Sequence, residues 1–297
     1  MYSTVGLLRH AKKADNLGGT HQRLDKIARR AFSEVLSREA SFRDEDFPSY
    51  KEIIHFEGYN GPDGLKWKSP GIDEPMHFII PDHDDGKVIK MILDHQYNLN
   101  HALKSDNRTR AAFEAAWMAH AITDGLTPAH HFPYEEAVSE LMSDKEYFKI
   151  FGKPVKGIMR GNTVAQTARN NWIYLGPEGY MTKHIAFEYG AGLIASSTPM
   201  KALTPKITSA DLDNLDLKHE FYDAFRRIVD LDMYSRYRYK GWTKALATES
   251  KAVLIPEIVR LIVLGWYSAL PKTVDKQPLQ KPAKTNSPRA RKDSKNA

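Results

Sequence analysis

The chain contains no cysteine. That excludes a disulfide framework, a thiolate nucleophile and cysteine-ligated metal, so any metal site must be built from histidine, aspartate, glutamate or backbone atoms. A membrane-length apolar run is also missing. The richest stretch, residues 252–270, is interrupted by Glu257 and Arg260 and falls short of the ~20 uninterrupted apolar residues that a span requires, so it reads as a core helix. Residues 1–10 lack a basic region followed by a long apolar stretch, so no standard secretory signal is read and a cytoplasmic location is expected. No repeat at solenoid or propeller periods is present. The body of the chain has no excess charge of either sign. Of 297 residues, 43 are basic and 37 acidic, a net +6, and eight basic against two acidic residues in 271–297 account for all of it. Charge therefore does not mark the body as a nucleic-acid binder.

What is present is enough apolar material for a sizeable core, with 41% hydrophobic and 10% aromatic residues. Helical periodicity dominates. Leu24, Ile27, Ala28, Ala31, Phe32, Val35 and Leu36 share one helix face, with Thr20 placed to cap it. Residues 87–103, 108–124, 135–148, 181–196, 211–233 and 244–270 also read as helices, with Pro256 setting a start or kink in the last. Residues 57–85 are rich in glycine and proline and read as a long loop, of the kind that carries function in compact helical domains. The expected organisation is an N-terminal extension (1–17), one all-α domain (18–270) and a basic, disordered tail (271–297). The tail reads first as a solvated extension, then as a weak contact for an anionic membrane surface, and last as a nucleic-acid contact.

Twelve histidines make a histidine and carboxylate metal site worth pursuing. Five of them have an acid four residues later: His21 with Asp25, His120 with Asp124, His131 with Glu135, His184 with Glu188 and His219 with Asp223. That spacing puts both side chains on one helix face, which suits shared metal ligation but equally suits an ordinary surface pair. The string His120-Ala-Ile-Thr-Asp124-Gly-Leu-Thr-Pro128-Ala-His130 is more specific. A helix supplies His and Asp, a Gly and Pro break follows, and another His comes six residues after the Asp, so that nitrogen and oxygen ligands can be presented to adjacent metals.

This H-x3-D-x3-P-x-H pattern resembles the zinc-dependent phospholipase C family of bacteria (the alpha-toxin type) and its fungal single-strand nuclease relatives. Gly19-Thr20-His21 is similar to the start of that family's first helix. Asp63, in Gly61-Pro62-Asp63 and fourteen residues before His77-Phe78, is similar to its loop aspartate. His184-Ile-Ala-Phe-Glu188 fits the H-x3-E of the phospholipases, where the nucleases carry H-x3-D. The resemblance runs in chain order over about residues 18–270 and implies an all-α domain of phospholipase C and single-strand nuclease type holding two or three Zn²⁺ ions. On it, Asp63, His77, His120 and Asp124 hold one zinc, and His130, His184 and Glu188 a second. His21 contributes to a third, with Asp124 as the bridging carboxylate.

The implied activity is phosphodiester hydrolysis in the manner of phospholipase C: a zinc-activated water attacks phosphorus and a diacylglycerol-type alcohol leaves. Asp63 is the candidate to orient or deprotonate that water. A phospholipid is the expected substrate, with nucleic acid less favoured. The alternatives are a single-strand nuclease or nucleotidase of the same superfamily, against which Glu188 and the missing cysteines lean, and an inactive zinc-binding interaction domain.

Three departures qualify the resemblance. Secreted family members chelate the third zinc with a mature N-terminal Trp, whereas here the first Trp is Trp67 and twenty residues precede His21. A solvated N-terminal segment is the first reading, with His10 or Asp15 as substitute ligands the second. The aromatic residues of the family's choline box are replaced by Gly64 and Glu74, so a cation-π cage for choline is not supported. The gap from His130 to His184 is longer than in the simpler phospholipases, implying an inserted segment near residues 135–180.

Overall fold

The computed structural model describes residues 19–38, 42–68, 79–81, 84, 86–142 and 158–271, and these form an all-α domain. The expected ligand His77, together with Glu74, His10 and Asp15, lies outside the described residues, as do residues 272–297 of the tail.

Helix α1 (Thr20–Leu36) buries the seven apolar residues that its periodicity selects. Its N-cap is Gly19, not Thr20, because Thr20 is already helical and is buried. The Thr20 hydroxyl sits where a Cβ on Gly192 would come within 2.3 Å, so the missing side chain at 192 lets the two helices approach. Short helices α2 (Tyr50–Ile54) and α3 (Pro62–Lys68) follow. The expected loop at 57–85 thus begins with ordered structure. Pro62 opens α3, as its fixed φ and missing N–H allow, and Asp63 stands in that first turn.

Two long helices, α4 (Lys87–Lys104) and α5 (Arg108–Gly125), form a hairpin in which Asn107 caps α5 by accepting from the Arg110 N–H at 3.0 Å. The central helix α5 is buried nearly all round. Ala111, Ala115, Ala116 and Ala119 admit close neighbours, while Glu114, His120, Thr123 and Asp124 bring polar groups into the interior.

The second half comprises α6 (Tyr134–Leu141), α7 (Val164–Leu175), α8 (Tyr180–Ser197), α9 (Met200–Leu203), α10 (Ser209–Leu212), α11 (Leu217–Val229), α12 (Met233–Lys240), α13 (Lys244–Glu249) and α14 (Ile255–Ser268). The expected helix over 211–233 is in fact split. Asp216 leaves the helical path to accept from the N–H groups of Lys218 and His219, and Asp232 takes a left-handed conformation (φ 45°) before α12. The helix over 244–270 carries a π turn at Ser250–Leu254 directly ahead of Pro256, as expected where a proline removes a helical N–H.

The apolar run of 252–270 becomes α14, whose Trp266 is fully buried against Phe32 and Phe47 and donates from Nε1 to the Ala115 carbonyl at 3.0 Å. Among the described residues no helix is long and apolar enough to cross a membrane. Among the described residues Tyr134, Val138, Met142, Met159 and Tyr174 form a separate minor core.

Candidate metal centre

Four helices and the turn after α5 converge on the site. Near its N-terminus α1 supplies His21, the last turns of α5 supply His120 and Asp124, and α8 supplies His184 and Glu188. The 3-10 turn Pro128–His131 supplies His130 and α3 supplies Asp63. Arg23 ties α1 to α8 by donating to the carbonyls of Ala195 (3.2 Å) and Thr198 (3.0 Å) at the end of α8, where a cation is favoured.

The donors form two clusters. In the first, His21, Asp63 and His120 offer ligand atoms that all lie within 4.8 Å of one another. Asp124 stands between the histidines, with one oxygen 3.2 Å from His21 Nε2 and the other 3.3 Å from His120 Nε2. The two imidazoles stack at 3.9 Å with their planes 7° apart. Asp63 completes the group, 3.8 Å from His120 Nε2. In the second, His130 Nε2 and His184 Nε2 approach the same oxygen of Glu188, at 2.8 and 3.1 Å. Seven of the eight ligands expected from sequence are therefore brought together, and the eighth, His77, is not described. Ile79, two residues beyond His77 in sequence, donates its N–H to the His130 carbonyl at 3.2 Å.

Electrostatics set these clusters apart from surface pairs. Burial alone would push the His120 imidazole down, but Glu57, Asp124 and Asp63 together carry its pKa up to about 10. Burial likewise opposes the charge on Glu188, whereas His184 and His130 favour it. Asp25 is driven the other way, well above its usual value, by burial and then by the neighbouring Glu57. Around His21 and His120 the first cluster thus gathers Asp25, Glu57, Asp63 and Asp124, an excess of carboxylates in a largely dry interior. Buried carboxylates gathered so closely are relieved either by protonation, the direction in which Asp25 is driven, or by a cation among them.

The donor set fits zinc. It offers imidazole nitrogen and carboxylate oxygen, and His120 is held with Nδ1 towards Glu57 at 3.1 Å, which leaves Nε2 facing Asp63 and Asp124. Glu57 is a site residue that the sequence does not announce, because an acid in a Gly-rich stretch carries no spacing signal. Asp25, four residues from His21, does carry one. His21 nevertheless pairs with Asp124 across the helix interface, and Asp25 contributes its charge beside Glu57.

His131, which has Glu135 four residues on, stands outside both clusters and donates from Nε2–H to the Gly125 carbonyl at 2.9 Å. Burial pushes the His131 pKa down to about 4. A neutral histidine with a depressed folded-state pKa stabilises the protein above its unfolded-state value near 6.5, and that stability drains away as pH falls through the window from 6.5 to 4. The unfolding free energy from urea titration is expected to fall between pH 7 and pH 4.5, by on the order of 1–3 kcal/mol from this group, and less in His131→Gln. An equal fall in the variant would assign the acid sensitivity elsewhere. His219 and Asp223 form an exposed pair at 3.3 Å, as a surface reading predicts.

Comparison of the chain with protein-family models, curated proteins and solved structures finds no match.

Proposed function

We propose that this protein is a zinc-dependent phosphoric diester hydrolase acting on phospholipids in the manner of phospholipase C. The observation that carries the reading is Asp124, one carboxylate presented to His21 and His120 at once, with a second cluster formed by His130, His184 and Glu188. Asp63, His120 and Asp124 would hold one ion, His130, His184 and Glu188 a second, and His21 with Asp124 would serve a third. Zinc bound there supplies Lewis acidity towards a phosphoryl oxygen and a water of lowered pKa.

The remaining work falls to the chain's own groups. Asp63, whose side chain is 14% exposed where that of Asp124 is 2% exposed, is the accessible carboxylate of the first cluster and the group placed to accept a proton from an attacking water. Glu57 fixes the tautomer and ring orientation of His120. Burial of Asp124, His120 and Glu188 keeps bulk water from competing at these donors.

A lipid substrate is favoured by the outer face of α8. Ile185, Tyr189 and Leu193 recur at helical spacing and are each more than half exposed, on the helix that turns Glu188 inward. Trp172 and Leu175 of the adjacent α7 are similarly exposed. Aliphatic side chains with Trp and Tyr suit a lipid–water interface, and the sites at His184 and Glu188 are their chain neighbours.

The test is hydrolysis of phospholipid vesicles and of single-stranded DNA by the zinc-loaded protein, beside Asp63→Asn and His120→Ala. Lipid cleavage lost in both variants is expected. Cleavage of DNA alone would move the activity to the nuclease branch, and bound zinc with neither activity would make the protein a binding module.

A further inference from the structure

The arginines on helices α11, α12 and α14 are nearly all paired. Arg236 reaches Glu249 at 2.7 and 3.0 Å, Arg260 reaches Asp211 and Glu220 at 2.9 Å each, Arg227 pairs with Glu257, and Arg226 with Asp223. Arg238 is the exception. Its half-buried guanidinium makes no hydrogen bond or ion pair with any described residue, and lies instead over the ring of Phe132 at 4.3 Å and near that of Tyr180 at 5.5 Å.

These rings belong to the second cluster's surroundings. Phe132 follows His130 by two residues, and Tyr180 precedes His184 by four on the same helix face. Phe132 also meets Tyr180 at 5.7 Å and Tyr234 at 6.0 Å. Tyr234 continues the contact towards the cluster, packing edge-on at 5.3 Å against Phe187, the residue before Glu188.

We propose that Arg238 forms an oxyanion subsite beside the His130, His184 and Glu188 cluster, taking a phosphate or carboxylate oxygen of the substrate and excluding a quaternary ammonium group. Aromatic faces anchor the guanidinium plane but leave its N–H edges undirected, and those edges form a fork that matches phosphate and carboxylate. A cation drawn partly out of water without an acceptor is an expense that an incoming anion removes. The Phe132 and Tyr180 rings already hold a cation, so a second cation is repelled there. The inference rests on the phosphodiesterase reading for the identity of the substrate, but not for anion binding itself.

The test is calorimetric titration of the full chain with inorganic phosphate, O-phosphoserine and phosphocholine, as purified and after chelation, for wild type, Arg238→Gln and Arg238→Lys, with circular dichroism to confirm folding. Binding of phosphate and phosphoserine is expected to weaken about tenfold in Arg238→Gln, with Arg238→Lys in between because it keeps the charge and loses the fork. A loss equal for both ligands identifies the phosphate as the group read, and a larger loss for phosphoserine identifies the headgroup carboxylate. Unchanged binding in both variants, or tighter wild-type binding of phosphocholine than of inorganic phosphate, would overturn the proposal. Should Arg238→Gln fail to fold, Arg238→Lys alone decides on the same criterion. Absence of zinc from the purified protein would remove the phosphodiesterase reading while leaving an Arg238-dependent anion affinity intact after chelation, so the two failures are distinguishable.

Discussion

Asp124→Asn is expected to lose zinc from the first cluster and to abolish phosphodiester hydrolysis while leaving the fold in place. Asparagine fills the same volume at the end of α5, but it replaces one of the two anionic oxygens that face His21 and His120 at 3.2 and 3.3 Å. Loss of an outer partner of a metal ligand typically weakens metal binding by ~10–100-fold, so neutralising the carboxylate shared by two histidines should cost at least about 100-fold. Stability gives a second readout. A metal that binds only the folded state stabilises it by mass action, so chelation should lower the melting temperature of wild type and shift that of Asp124→Asn much less. Equal zinc content and an equal response to chelator in the two proteins would remove Asp124 from the metal centre.

Trp266→Ala should produce the largest loss of stability of any single substitution considered. The indole is fully buried between Phe32 and Phe47 and bonded to the Ala115 carbonyl at 3.0 Å, so it joins α14 to α1 and α5 at once. Truncating a buried Trp to Ala costs about 3–5 kcal/mol through lost apolar burial and the cavity left behind. In a domain of this size that corresponds to a fall of roughly 10 °C in melting temperature. Because His21 and His120 ride on α1 and α5, zinc affinity should weaken along with stability. A loss below about 1 kcal/mol would mean that the helices are not held together at this point.

The fold was legible where periodicity and caps agree. Seven apolar positions of α1, the α4 and α5 hairpin and the break ahead of Pro256 all follow from spacing and from the chemistry of Asn and Pro. It was not legible where a single side chain redirects the backbone. The interruption at Asp216 depends on its carboxylate capping Lys218 and His219, an outcome that the apolar spacing of 211–233 does not encode. Helix α3 was hidden for a similar reason, since Gly61, Pro62 and Gly64 read as loop, yet Pro62 serves as a first helical residue and Gly64 packs so close to the Tyr59 carbonyl that a Cβ there would lie 2.0 Å away.

The ligand clusters were expected from the family resemblance; the i, i+4 spacing alone puts His120 with Asp124 and His184 with Glu188 on single helix faces, and does not select Asp63 or join His21 to Asp124. What spacing could not supply was partnership across elements. Glu57 reaches His120 from a different segment, and Arg238 reaches Phe132 from 106 residues away, so both contacts exist only once α5, α8 and α12 are packed.

The most direct measurement is the zinc content of the purified full-length chain by elemental mass spectrometry, with His120→Ala as the comparison. At least one zinc for each of the two clusters in wild type, falling in His120→Ala, is the predicted result. A wild-type protein that takes up no zinc even after incubation with the ion would contradict the metal centre and, with it, the proposed chemistry.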